Sequence, residues 1–244
     1  MATIRQDPKT ILRSSARNCS TARPPRGARA VRYAVPVASA TIAVAGAIAV
    51  IGLADGATES DGLAALDPGF TADIVSDRTP ALTVLALSLT FVGDVPVLVT
   101  LMLIAAFLLW RWTRGLRAPA LLLFAMAGSA ALTAGLKALV ERKRPGVTFV
   151  LGPVDTGFAF PSGHTLNSTV FFVTLAALLW VGLRSYGART ALVVAAGLMS
   201  IGIGLSRVYL GYHWATDVLA GWTVAVTWLA LVSLLAYFTR PREA

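Results

Sequence analysis

The chain of 244 residues has only two histidines, His164 and His213, and histidine is the side chain whose charge changes most easily near neutral pH. Asp217 follows His213 by four residues, and if the last span begins near His213, this spacing places both side chains on one face of a helix. The carboxylate can therefore hold the imidazole in a fixed orientation. Pairs of this kind also occur as hydrogen-bonded pairs at membrane interfaces, so the pair alone leaves a catalytic and a structural interpretation open.

Basic side chains that could bind an anion accompany the histidines. Lys137 is followed after six residues by Arg144, with Arg142 and Lys143 between them, and Arg207 lies shortly before the second histidine. A lysine that reaches to the membrane interface explains Lys137 alone, but not the whole group. If folding brings these cations together, their charge needs an anion to offset it, and a phosphate group suits this arrangement.

The segment 160–164, Phe-Pro-Ser-Gly-His, comes directly before a long apolar stretch. A helix that starts here presents free backbone amides and the positive end of its dipole, and both features bind anions. Gly163 lets the backbone approach a ligand closely, and Ser162 can add a hydroxyl donor. A serine before a helix is most often only a cap, so both interpretations stay open.

The composition shows what kind of elements must position these residues. Hydrophobic residues make up 56% of the chain and charged residues 14%, and the mean hydropathy is +0.72. This composition is too apolar for a soluble domain of this length. A spanning helix needs roughly 20 apolar residues. Six stretches meet this requirement and predict an all-α, polytopic membrane protein with a six-transmembrane helix bundle: 34–54, 94–110, 118–138, 165–183, 190–206 and 214–237.

The distribution of charge predicts the orientation in the membrane. The net charge is +9, and four basic clusters, within 1–33, 111–117, 184–189 and 240–242, fall on one side of a six-span chain. The positive-inside rule makes that side cytoplasmic, which predicts a plasma (inner) membrane protein with both termini inside. The acidic loop of residues 55–77 and the three polar segments are then extracytoplasmic. A nucleic acid partner is not expected, because the basic tail lacks interleaved aromatic residues that stack on bases.

Regions outside the polar segments have simpler interpretations. Residues 1–33 are rich in Arg, Ser, Thr and Pro and predict a disordered cytoplasmic tail, with a cleaved signal peptide as the alternative. Residues 34–79 are expected to form the first span and the acidic external loop, and residues 80–92 an external or interfacial helix. Asp94 is expected to cap the second span. Because Cys19 is the only cysteine, an intramolecular disulfide is excluded.

Three motifs occur in order along the chain: Lys-x6-Arg-Pro from Lys137, Pro-Ser-Gly-His ending at His164, and Ser-Arg-x5-His-x3-Asp ending at Asp217. Together they resemble the signature of the type 2 phosphatidic acid phosphatases, the PAP2 family, which is related to vanadium haloperoxidases and bacterial acid phosphatases. The resemblance covers roughly residues 80–235. It implies a phosphatase core of the PAP2 and haloperoxidase-like type within residues 80–238.

The resemblance also implies a metal-independent mechanism through a phosphohistidine intermediate, with no cofactor. His213 would be the nucleophile, Asp217 would hold its other ring nitrogen, and His164 would act as general acid and then as general base. Five residues would bind the substrate phosphate: Lys137, Arg144, Ser162, Gly163 and Arg207. The substrate would be a lipid phosphate drawn from the membrane lipids, as a phosphomonoester or pyrophosphate of the phosphatidate, phosphatidylglycerophosphate or polyprenyl phosphate class.

Two other functions are compatible with the motifs. A haloperoxidase would hold vanadate in a related site, but those relatives are soluble, and the six predicted spans argue against this function. A transporter or lipid-binding protein would use the cations only to hold a lipid phosphate, and it has little use for a histidine that a carboxylate orients. Phosphate release that depends on His213 distinguishes catalysis from binding.

Overall fold

A computed structural model describes residues 26–240 of the chain, with side chains described from residue 33. Within this range the protein is all-helical and contains no strand. The α-helices are α1 (Arg26–Glu59), α2 (Asp67–Ser76), α3 (Pro80–Gly93), α4 (Val95–Thr113), α5 (Arg117–Val140), α6 (Gly163–Trp180), α7 (Tyr186–Tyr209) and α8 (Ala215–Phe238). Two short 3-10 helices, Gly62–Leu66 and Val147–Phe149, lie in the connections.

Six of these helices are long and apolar enough to cross a membrane: Tyr33–Glu59 of α1, and the whole of α4, α5, α6, α7 and α8. The chain is therefore a multi-pass membrane protein with a six-helix bundle, and the prediction made from hydropathy is confirmed. The predicted bounds agree with the observed ones to within a few residues, because the length of each apolar stretch fixes where a helix can enter and leave the hydrocarbon.

The start of α1 differs from the expectation. The sequence predicts a disordered tail over residues 1–33, but α1 begins at Arg26, so residues 26–33 are helical. Extending an existing helix adds one backbone hydrogen bond for each residue that is fixed, which explains how the helix continues past the apolar stretch. The remainder of the predicted tail, with Cys19, lies outside the described residues.

The core of the bundle forms around α6, which packs against α5, α7 and α8, while α1 lies along α8. Small residues allow these helices to approach closely. A Cβ atom on Gly128 of α5 would lie 2.0 Å from Cζ2 of Trp228 on α8, so only glycine fits this contact. Lipid provides no hydrophobic force between spans, and close packing of this kind is therefore a main source of helix association. The bundle holds its helix ends in fixed relative positions, and these ends carry the polar motifs.

The long connection between α5 and α6, residues 141–162, is bonded to one end of the bundle. The N–H of Leu151 donates to the carbonyl of Leu210 at 2.9 Å, and the N–H of Ser162 donates to the carbonyl of Asp217 at 3.0 Å. These bonds hold the connection against the end of α7 and the start of α8. The connection can therefore place side chains beside the motifs of both helices.

The short helix α3 corresponds to the helix predicted over residues 80–92, and it packs against α7. Asp94 lies between α3 and α4 at the N-cap position of α4, but its side chain makes no capping hydrogen bond. The carboxylate instead accepts a hydrogen bond from His164 of α6. The prediction that Asp94 caps the second span is therefore wrong, because folding brings α6 within reach and supplies a partner for the carboxylate.

Candidate active site

The eight residues of the predicted site lie at one end of the bundle. They belong to the end of α5, the connection after it, the start of α6, the end of α7, the turn before α8 and the start of α8: Lys137, Arg144, Ser162, Gly163, His164, Arg207, His213 and Asp217. A cavity of about 190 Å³ opens there, and five of the eight line it: Lys137, Arg144, Gly163, His164 and His213. The tertiary structure therefore brings both histidines and two cations to one cavity.

His213 lies in the turn between α7 and α8, and only 1% of it is exposed. Burial lowers the pKa of the His213 imidazole well below its usual value, and the charges of Arg207 and Arg144 lower it further. The ring is therefore neutral near neutral pH. Its Nε2 lies 3.3 Å from Nη1 of Arg144, and because a guanidinium can only donate, this contact requires a lone pair on Nε2. The remaining ring proton is then on Nδ1.

Asp217 lies beside that nitrogen, in the first turn of α8. Its Oδ2 is 3.4 Å from Nδ1 of His213, an ion-pair distance, but Nδ1 makes no hydrogen bond within the described residues. The carboxylate is held by two other donors. The N–H of Trp214 donates to Oδ2 at 2.9 Å, and Nη1 of Arg142 donates to Oδ1 at 2.7 Å. The acid and the imidazole are thus adjacent, and the hydrogen bond expected between them is not formed.

Arg142 connects Asp217 to the start of α2. Its Nη2 donates to Oδ2 of Asp67 at 2.8 Å, and the side chains of Arg142, Asp67 and Asp217 are 9%, 3% and 0% exposed. Asp67 also accepts hydrogen bonds from the N–H of Thr216, at 3.1 Å, and from its hydroxyl. Buried charges persist only when they are paired, so these three groups stabilise one another. The sequence assigns Arg142 only to a group of cations and Asp67 to an external loop, because neither residue belongs to a motif that marks it.

His164, in the first turn of α6, forms a second pair of an imidazole and a carboxylate. Its Nε2 donates to Oδ1 of Asp94 at 2.8 Å, and the two side chains are 18% and 44% exposed. Gly93 makes this approach possible, since a Cβ atom there would lie 3.1 Å from Cδ2 of His164 and 2.7 Å from Cγ2 of Ile203. The charge of Asp94 at membrane depth is the signal in the sequence that marks this residue as a functional candidate.

The two arginines of the site have fixed guanidinium groups. Nη1 of Arg207 donates to Oγ1 of Thr90 at 2.8 Å, and its Cζ lies 4.1 Å from the centroid of the Tyr212 ring. Arg144 donates through Nη1 to the carbonyl of Tyr212 at 2.8 Å and through Nε to that of Gly157 at 3.1 Å. Nε of Arg207 is buried and makes no hydrogen bond within the described residues. Such rigid planar donors suit a tetrahedral anion.

Lys137 and Ser162 each have a hydrogen-bond partner within the protein. Nζ of Lys137 donates to the carbonyl of Phe158, which directs the ammonium group toward the cavity that it lines. Ser162 is fully buried at the N-cap of α6, where its Oγ accepts from Oγ1 of Thr165 at 2.9 Å and from the N–H of the same residue at 3.5 Å. The structural role of Ser162 is thus observed, while its contact with phosphate stays a prediction.

The chemical character of the cavity is that of an anion site. The groups that line it include an ammonium group, a guanidinium group and two imidazoles, together with Gly163 at the start of α6. Within the side chains described over residues 33–240, no group of three or more His, Cys, Asp or Glu residues could hold a metal ion. The protein is therefore a multi-pass membrane protein whose two histidines and basic residues meet at an anion site.

The family follows from comparison with known proteins. Residues 118–241 match the family model described as the PAP2 superfamily, and the chain belongs to that superfamily. It is 35% identical over 98 residues to phosphatidylglycerophosphatase B of Bacillus subtilis, a match that covers 40% of this chain and 47% of the relative. It is 43% identical over 82 residues to phosphatidylglycerophosphatase B of Escherichia coli K12, covering 31% and 30%. The undecaprenyl-diphosphatase of Sulfolobus acidocaldarius is 33% identical over 96 residues, covering 38% and 41%.

The matched stretch spans less than half of the length of each of these relatives. Solved structures extend the likeness over most of the chain. The crystal structure of a transmembrane PAP2-type phosphatidylglycerolphosphate phosphatase from Bacillus subtilis is similar, with a TM-score of 0.75 and 25% identity, over 82% of this chain and 98% of that one. Aquifex aeolicus LpxE, at 23% identity and a TM-score of 0.50 over 71% and 93% of the two chains, shares the fold.

Proposed function

We propose that the protein is a phosphatase that hydrolyses a phosphomonoester or pyrophosphate of a membrane lipid without a metal ion. The observation that carries this proposal is the environment of His213, a buried and neutral imidazole that faces a cationic cavity at the ends of spanning helices. Anion binding alone needs the cations but has no use for an imidazole beside a buried carboxylate. Catalysis by a histidine nucleophile uses the cations as well as the imidazole and its carboxylate.

The first chemical step would be attack of His213 on the phosphorus atom. A bond forms between Nε2 and phosphorus while the bond from phosphorus to the leaving oxygen breaks, which gives a phosphohistidine. Asp217, 3.4 Å from Nδ1, offsets the positive charge that develops on the ring. The imidazolium form of His164, whose Nε2 is 2.8 Å from Oδ1 of Asp94 at the cavity wall, would give its proton to the leaving oxygen and become neutral. The released product is a lipid alcohol or, from a pyrophosphate, a lipid monophosphate.

The second step would be hydrolysis of the phosphohistidine. His164, which has given up its proton, accepts one from a water molecule as the water oxygen attacks phosphorus. The bond between phosphorus and Nε2 breaks, its electron pair returns to His213, and inorganic phosphate leaves. Because the environment of His213 favours the neutral ring, the imidazole is a good leaving group in this step.

The charge of the phosphate would be offset by protein groups throughout. Lys137, Arg144 and Arg207 supply positive charge, and the amide of Gly163 supplies a donor at the positive end of the α6 dipole. These groups occupy the place that magnesium ions have in many phosphoryl-transfer enzymes. The proposal therefore expects activity in the presence of a chelator.

A lipid substrate is supported by an apolar groove next to the site. The groove has a volume of about 400 Å³ and lies between α4 and α5, lined by residues such as Leu98, Met102 and Met126. Val95 and Asn167 line both the groove and the polar cavity, so the two spaces adjoin. A chain in the groove would place its phosphate in the cavity. The names of the relatives suggest phosphatidylglycerophosphate and a polyprenyl pyrophosphate as the substrates to test first.

Phosphate release by the purified protein tests the proposal. Wild type and His213→Ala are compared, with chelator present, on phosphatidate, phosphatidylglycerophosphate and polyprenyl phosphates and pyrophosphates. We expect release from at least one class by wild type and a loss on the order of a thousandfold or more in the variant, because the nucleophile is gone. Equal rates for the two proteins would contradict the catalytic assignment and favour lipid binding or transport.

A further inference from the structure

Asp155, in the connection between α5 and α6, lies between the two arginines of the site. Its Oδ2 is 2.8 Å from Nη2 of Arg207 and 3.4 Å from Nη1 of Arg144. Asp155 also lines the cavity that contains His213. One carboxylate oxygen therefore contacts both guanidinium groups that are proposed to hold the substrate phosphate. The three sequence motifs do not include this residue.

Asp155 differs from the buried carboxylates near the site. The side chains of Asp217 and Asp67 are 0% and 3% exposed and accept several hydrogen bonds each, whereas 43% of the Asp155 side chain is exposed. Asp155 also lies outside any helix. Water can solvate this carboxylate when it leaves the arginines, so its displacement costs far less than that of a buried charge.

Both arginines also have partners other than Asp155. The Tyr212 ring and Thr90 hold the guanidinium of Arg207, and the carbonyl of Tyr212 holds that of Arg144. An incoming phosphate that pairs with both guanidinium groups would take the position that Asp155 occupies. Binding of phosphate is therefore an exchange of one anion for another at the same donors.

The outcome of such an exchange depends on the two charges. A phosphomonoester carries a charge of about −1.5 to −2 near neutral pH, whereas a carboxylate carries a single negative charge. The attraction between a terminal phosphate and the two arginines is therefore stronger than the attraction between Asp155 and the same arginines. The phosphodiester of an ordinary phospholipid carries one charge, like the carboxylate, and gains little from replacing it.

We infer that Asp155 is a specificity-determining residue that competes with substrate for Arg144 and Arg207. The competition admits a lipid with a terminal, doubly charged phosphate and disfavours the singly charged headgroups of the surrounding phospholipids. This inference rests on the proposed function, because it concerns access to the same phosphate site. If Asp155 competes with substrate, loss of its charge strengthens phosphate binding. Loss of a carboxylate that only holds the arginines in place would weaken phosphate binding.

Calorimetric titration of the purified, full-length protein in detergent with inorganic phosphate tests the inference. Asp155→Asn keeps the size of the side chain but removes its charge. We expect the Kd for phosphate to fall on the order of tenfold, since a charged hydrogen-bond competitor has been removed. Asp155→Glu retains the competing charge, and its Kd for phosphate should stay closer to that of wild type.

Asp73→Asn is the matched control, because Asp73 is an exposed aspartate on α2, away from the cavity lining. The substitution removes the same charge, and we expect the Kd for phosphate to change by less than about twofold. In a turnover assay, added phosphatidylglycerol should inhibit Asp155→Asn more strongly than wild type, and the fall in KM for the lipid monophosphate should exceed any change in kcat.

An unchanged or weaker affinity for phosphate in Asp155→Asn would overturn the inference, since weaker binding is the result expected of a residue that only positions the arginines. If wild type releases no phosphate from any lipid, the proposed function fails instead. The calorimetric comparison requires no turnover, so the two failures are distinguishable.

Discussion

At the residue scale, the two histidines of the cavity have surroundings that suit different tasks. His213 is buried beside arginines, which favour a neutral ring with a free lone pair. His164 lies at the cavity wall and donates a hydrogen bond to the carboxylate of Asp94. A nucleophile must be unprotonated, so the environment of His213 supports its proposed role, whereas the proposed role of His164 rests on its place at the cavity wall and its contact with Asp94.

The lowered pKa of His213 gives a direct prediction. In a His164→Gln variant purified without a histidine tag, His213 is the only histidine, and its protonation can be followed by NMR of the imidazole ring. We expect the midpoint of the His213 titration to lie well below 6.5, the ordinary pKa of histidine, because burial and the arginines disfavour the charged ring. The ring becomes protonated, and attack is lost, only as the pH falls through that lower midpoint. A midpoint at or above the ordinary value would contradict the assignment.

The contact between Asp94 and His164 predicts a dependence on the leaving group. Asp94→Asn should lower kcat about tenfold on a lipid phosphate, because the general acid loses the partner that orients it. The loss should be much smaller on p-nitrophenyl phosphate, whose leaving group departs without a proton. An equal loss on both substrates would indicate a structural role. Asp77→Asn, an exposed aspartate outside the cavity lining, is the control.

At the scale of elements, Arg142 joins three parts of the chain at the site. It pairs with Asp67 at the start of α2 and with Asp217 at the start of α8, and it lies itself just after α5. The external loop, which the sequence separates from the phosphatase core, thus contributes a buried charge to the position of the carboxylate beside His213. Every one of these bonds is fixed by packing between elements that are distant in sequence.

Removal of Arg142 should therefore destabilise the protein. Arg142→Ala leaves two buried carboxylates without their common partner, and the loss of one member of a buried ion group costs about 3–5 kcal/mol. We expect a clear fall in the thermal midpoint in detergent. Arg142→Lys should retain part of the stability, since an ammonium group supplies charge but not the bidentate geometry.

Lys143→Ala provides the comparison within the same segment, because Lys143 is exposed and a surface substitution changes stability by about 0.5 kcal/mol or less. If Arg142→Ala and Lys143→Ala have the same thermal midpoint, the ion group does not stabilise the fold.

At the scale of the whole molecule, we propose that the site is on the extracytoplasmic side of the inner membrane and that both termini are cytoplasmic. The observed helices support this orientation. The basic residues Arg111, Arg114 and Arg117 lie where α4 ends and α5 begins, whereas the cavity is at the opposite end of α5. The positive-inside rule then makes the cavity end external.

Labelling of intact cells with a membrane-impermeant thiol reagent tests the orientation. In a Cys19→Ser background, Thr148→Cys lies in the connection at the cavity end and should react, while Gly115→Cys lies between α4 and α5 and should not. Permeabilised cells are the control, in which the second variant should also react. The reverse pattern in intact cells would place the active site in the cytoplasm.

Much of the fold follows from local properties of the chain. The six spans and the break near Asp94 are predictable because apolar length and composition determine where a helix crosses a membrane. The spacing of His213 and Asp217 likewise predicts their adjacency, although His213 lies in the turn before α8 and only Asp217 is helical. The motifs also identify the residues that the bundle brings to one end.

The partners of the charged groups depend on tertiary packing. Asp94 pairs with His164 across 70 positions, Arg142 with Asp67 across 75, and Arg207 with Asp155 across 52. No local pattern selects among the acids and bases of the chain, because helix packing determines which charges meet. Local sequence patterns are enough to predict the bundle and the chemical groups at its end. Burial and long-range pairing determined that His213 is neutral, that Asp217 is held by several donors and that Asp155 is partly exposed.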